Sequence, residues 1–68
     1  MRIRFVKDTG LDVFSHATGD ATDRSFLKWT EVPVKELIEI DNNHYDIILY
    51  NDDTLCDVNK DCFEVLDK

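Results

Sequence analysis

Arg2-Ile3-Arg4-Phe5-Val6 alternates charged and apolar side chains, so Ile3 and Phe5 share one face and both arginines the other. That period of two is the signature of a half-buried strand. Thr9-Gly10 offers a turn, and Leu11-Asp12-Val13-Phe14 reads as a second short strand or the arm of a long irregular hairpin. Ser15 to Asp23 is small and polar and reads as a loop. Phe26, Leu27 and Trp29 then restore the apolar content ahead of Pro33.

Thr30 to Ile40 admits two readings. As a helix starting near Pro33 it would set Val34, Leu37 and Ile38 at helical spacing, over only about two turns. As a strand after Pro33 it puts Val34, Glu36, Ile38 and Ile40 on one face, with Asp41-Asn42-Asn43 as the next turn. The strand is favoured by the plain β character of the neighbouring segment. His44 to Tyr50 is rich in β-branched and aromatic residues, with Tyr45, Ile47 and Leu49 on one face and Asp46, Ile48 and Tyr50 on the other. Asn51-Asp52-Asp53 is turn chemistry, Thr54 to Val58 pairs back, and Asn59-Lys60-Asp61-Cys62 links to a closing strand Phe63-Glu64-Val65-Leu66.

Sixty-eight residues with 43% hydrophobic content give one domain spanning residues 1–68 and one compact core. Met1-Arg2-Ile3-Arg4-Phe5 is not followed by an apolar stretch of about 7 to 15 residues, so no secretory signal is expected. No run approaches the roughly 20 apolar residues of a membrane span. The expected location is the cytoplasm, where Cys56 and Cys62 more often stay free than form a disulfide.

Charge sharpens the picture. Residues 1–35 carry six basic and five acidic side chains, whereas residues 36–68 carry two basic and ten acidic. Direct phosphate binding by the second half is disfavoured, and a protein with a basic surface is the natural complement. The candidate partner-binding residues are Asp46, Asp52, Asp53, Asp57, Asp61 and Glu64, with Asp67 continuing the alternation. The competing class is a nucleic-acid module using Arg2, Arg4, Lys7, Arg24 and Lys28, which the overall negative field opposes unless those residues cluster.

Catalytic and metal readings find little to stand on. Asp57-Val58-Asn59-Lys60-Asp61 fits the first positions of a calcium loop, but Cys62 and Lys68 occupy the places that need Gly and a bidentate Glu. Cys56, Cys62, His16 and His44 lack zinc-ligand spacing. Cys56 is expected in the core beside Val58, and no oxyanion loop or nucleophile elbow accompanies His44. The expectation is therefore no enzyme, no cofactor and no metal.

From Glu39-Ile40-Asp41-Asn42-Asn43-His44-Tyr45-Asp46-Ile47-Ile48-Leu49, through Asn51-Asp52-Asp53-Thr54, to Val58-Asn59-Lys60-Asp61-Cys62-Phe63-Glu64-Val65-Leu66, the chain resembles the latter part of an SH3-like barrel of the KOW type found in bacteria and phages. The resemblance covers residues 34–66. It implies a hairpin, a short polar link that is often one 3₁₀ turn, and a last strand closing against the first. Unlike KOW domains, the chain has only Gly10 and Gly19 and an acidic second half, and unlike SH3 domains that bind proline-rich peptides it carries its lone Trp29 before the hairpin. The expected fold is all-β, a small SH3-like barrel of about five strands with a long early loop over Ser15 to Asp23. The expected role is protein binding through the acidic face, in the manner of small accessory or inhibitor proteins of phages and mobile elements.

Overall fold

The computed structural model describes residues 1–67 as eight strands and one 3₁₀ turn. In chain order the strands are β1 (Arg2–Phe5), β2 (Thr9–Phe14), β3 (Ala21–Phe26), β4 (Glu31–Pro33), β5 (Glu36–Glu39), β6 (His44–Ile48), β7 (Thr54–Asn59) and β8 (Phe63–Asp67). The 3₁₀ turn, Lys60–Cys62, lies between the last two. All pairings are antiparallel and fall into two sheets, β4-β1-β8 and β3-β2-β7-β6-β5. No closed barrel forms among the described residues, and eight strands replace the expected five or so.

The inner faces of both sheets supply one core of Ile3, Phe5, Val13, Phe26, Val34, Ile47, Leu55, Val58 and Phe63. Two aromatic pairs join the sheets. Phe5 of β1 stacks on Phe26 of β3 with ring centroids 4.8 Å apart, and Tyr45 of β6 meets Phe63 of β8 edge-on at 6.0 Å. Such pairs add about 0.5–1.5 kcal/mol each beyond their buried area. The chain changes sheets at Val34, which is fully buried: its amide donates to the Met1 carbonyl at 2.7 Å, while the next amide, Lys35, donates to Ile48 at 2.8 Å. Pro33 is tolerated because β4 is an edge strand and its missing N–H breaks no ladder.

Three expectations need correction. The early loop is not long: Ser15–Asp20 is a tight connection closed by Ser15 N–H to Asp20 O and Gly19 N–H to Ser15 O, both 2.8 Å. Ala21-Thr22-Asp23 then pairs with Phe14-Val13-Asp12. β3 escapes notice because it is an edge strand that buries only Phe26, so it needs no apolar alternation. Gly19 supplies the left-handed conformation, φ 75°, that the turn requires.

Around Pro33, β4 and β5 are two short strands in different sheets. Leu37 packs on the core, while Ile38 and Ile40 face outward. Cys56 does not pack beside Val58. It stands on the outer face opposite Asp12, and Cys62 is the thiol that packs against the core; both are free.

The parity that separates Cys56 from Val58 comes from a β-bulge. Tyr45 pairs with Val58 and Ile47 with Leu55, so Asp46 alone faces both Cys56 and Asp57. Asp57 takes φ 56°, and its amide donates to Asp46 Oδ1 at 2.9 Å. No helix among the described residues is long and apolar enough to cross a membrane.

Candidate functional site

The register lines up an acidic row across the outer face of the five-stranded sheet. Asp23 of β3 lies directly opposite Asp12 of β2, Asp12 lies opposite Cys56 of β7, and the bulge brings Asp57 and Asp46 alongside. Asp12 and Asp23 sit on one side of the sheet with no intervening strand, so their carboxylates repel. Hydrogen bonding to Asp23, and then its negative charge, raise the Asp12 pKa above its ordinary value. No described Lys or Arg forms an ion pair with Asp12, Asp23, Asp46 or Asp57.

β2 and β7 stop pairing beyond Asp12 and Cys56, where the bulge turns β7 away. The divergence opens a pocket of ≈ 350 Å³ lined by Gly10, Asp12, Asp23, Arg24, Cys56 and Asp57, among others. A Cβ added at Gly10 would meet nothing within 4 Å, so the pocket is open at that residue. Arg24 forms part of the wall, but its guanidinium lies 5.1 Å from the Phe26 ring centroid. The Cys56 thiol is pushed up by burial and then by the charges of Asp46, Asp12 and Asp57. It stays a thiol at neutral pH and is poorly suited to nucleophilic work.

Of the six acidic candidates, only Asp46 and Asp57 belong to this row. Asp52 is occupied by Lys35 Nζ at 2.7 Å, which lowers its pKa through the hydrogen bond first and charge second. Asp53 accepts the His16 amide at 3.1 Å and the Asn51 side chain at 3.1 Å, tying two turns together. Asp61 sits in the 3₁₀ turn, where its amide is capped by Asn59. Glu64 pairs with Arg4 at 2.7 Å. Asp12 and Asp23 lie in the half of the chain where basic and acidic side chains nearly balance, so net charge does not mark them. The visible signal was Asp12 between Leu11 and Val13, an outward position.

The five basic candidates divide between the sheets. Arg2 pairs with Glu31 at 3.3 Å and Arg4 with Glu64 on the three-stranded sheet, Arg24 is on β3, and Lys7 is exposed before β2. What gathers instead is a trio. Arg4 lies 5.5 Å and Lys28 4.9 Å from the Trp29 ring, which is 58% exposed and held at φ 74°. Trp29 is placed by its amide donating to the Phe5 carbonyl at 2.7 Å. Among the described residues no three His, Cys, Asp or Glu side chains converge as a metal site would.

The fold and these surfaces define the class: a small two-sheet, all-β domain with an unneutralised acidic sheet face. No family model matches the chain, and no curated protein or solved structure matches it.

Proposed function

We propose that this domain is a non-enzymatic protein-binding module that sets its acidic sheet face against a basic partner. One observation carries the reading: Asp12 and Asp23 face each other across β2 and β3 without a cation, whereas Asp52 and Glu64 are neutralised within the molecule. Like charges directly opposite in a sheet destabilise it. A partner's Lys or Arg side chains relieve that repulsion on binding, and the field speeds encounter at low salt.

The same proposal takes the architecture as SH3-like. It is supported by β1 between β4 and β8, by the chain crossing sheets at Val34, and by the 3₁₀ link into a last strand paired with the first. A cytoplasmic accessory or inhibitor role of phage or mobile-element type belongs to this reading and rests on size and charge. The test compares Asp12→Asn/Asp46→Asn with Asp52→Asn/Glu64→Gln for binding to oligolysine at several salt concentrations. The first pair weakens binding by roughly fivefold and flattens the salt dependence, and the second pair changes it little. Equal losses from both pairs would leave only a diffuse acidic surface.

A second reading, nucleic-acid contact, is favoured by the Trp29 trio, because base stacking needs an exposed ring with adjacent cations. Trp29 is the sole tryptophan, so its fluorescence reports directly. Quenching by a single-stranded oligonucleotide, lost in Lys28→Ala, supports this reading; an unchanged spectrum excludes it.

A further inference from the structure

Outward positions of a half-buried antiparallel sheet are ordinarily polar. Here the outer face of the five-stranded sheet departs from that rule in a connected way. Phe14 of β2 lies opposite Thr54 of β7, Thr54 lies opposite Ile48 of β6, and Ile38 of β5 lies opposite Asp46, one outward step along β6 from Ile48. Phe14 is 41% and Ile38 43% exposed, with Ile48 half-buried between them. Phe14, Ile48 and Ile38, with Thr54 between the first two, make an oblique, mainly apolar band that spans four strands, roughly 14 Å at about 4.8 Å per strand. The acidic row of Asp23, Asp12, Asp57 and Asp46 runs beside it, and Glu36, opposite Ile48, stands on its other flank.

We propose, resting on the acidic-face reading above, that this face receives a cationic amphipathic helix of a partner protein, with Phe14, Ile48 and Ile38 as its apolar anchors. Charge complementarity selects the occupant. An apolar band flanked by carboxylates fits an element whose apolar stripe is bordered by Lys or Arg, and a helix covers the band in about three turns at 1.5 Å per residue. A second copy of this chain fits badly: a two-fold interface on this face would set the acidic row against itself, at a net charge of −7 per copy. Phe14 and Ile38 give the interface what charge alone lacks, a desolvated centre with slow dissociation, while the carboxylates steer and orient.

The experiment uses two probes against the full chain: a roughly 14-residue Leu/Lys peptide with leucines at helical spacing, and oligolysine of the same charge. The proposal expects the amphipathic peptide to bind at least about tenfold more tightly, and Phe14→Ser/Ile38→Ser to erase that advantage without altering oligolysine binding. Equal affinity for the two probes overturns the anchors and leaves the acidic reading standing. Binding of neither probe overturns both. Sedimentation of the free protein as a dimer that Phe14→Ser/Ile38→Ser dissociates would assign the face to self-association and overturn the proposal.

Discussion

Asp12 illustrates how much one register position decides. Because Asp23 holds its folded pKa above the ordinary value of 3.8, the folded state binds this proton more tightly than the unfolded chain. That preference favours folding at acid pH and is lost as pH rises through the raised value. Asp12→Asn should therefore raise the melting temperature at pH 7, with the gain vanishing below pH of about 3.8. Asp52 has the opposite sign. Lys35 lowers its pKa, so its contribution is present at neutral pH and lost as pH falls through the lowered value; Asp52→Asn should lower the melting temperature at pH 7. Paired thermal melts across pH check both. The alternation around Leu11 and Val13 marked Asp12 as outward, but its neighbour Asp23 required the β2–β3 register. That register is set by a turn whose composition looked like loop.

At the scale of elements, strands with an apolar face were legible and edge strands were not. Ile3 and Phe5, and Tyr45, Ile47 and Leu49, announce β1 and β6 because one face of each is buried. β3 and β4 bury too little to leave a periodic trace, and the sheet change at Val34 depends on main-chain bonds to Met1 and across to Ile48. The bulge at Asp57 was equally silent, since a single extra residue only shifts parity. Gly19→Ala should cost about 1 kcal/mol, the usual penalty for a Cβ in the left-handed region, measured by urea unfolding. Asp46→Ala removes the acceptor for the Asp57 amide and should cost about 1–2 kcal/mol, with altered amide shifts confined to the bulge.

For the whole molecule, two sheets held by one core leave little margin. Phe5 is fully buried and stacks across the sheets on Phe26, so Phe5→Ala should cost about 3–5 kcal/mol. A domain of this size rarely has more than about 3–5 kcal/mol in total, and the variant should be largely unfolded at 25 °C by circular dichroism. Against that margin, carrying unpaired Asp12 and Asp23 on one face is a cost, which the proposed docking of a basic partner would offset. The composition foretold acidity, but the sheet order concentrates it, by placing the balanced first half's hairpin against the strands of the acidic second half. The most direct measurement is a titration of ¹⁵N-labelled protein with oligolysine at fixed ionic strength, monitored residue by residue. Binding through the acidic row predicts that the largest shifts cluster at Asp12, Asp23, Asp46, Cys56 and Asp57. Shifts that are uniform over all carboxylates, or centred on Asp52, Asp61 and Glu64, would contradict it.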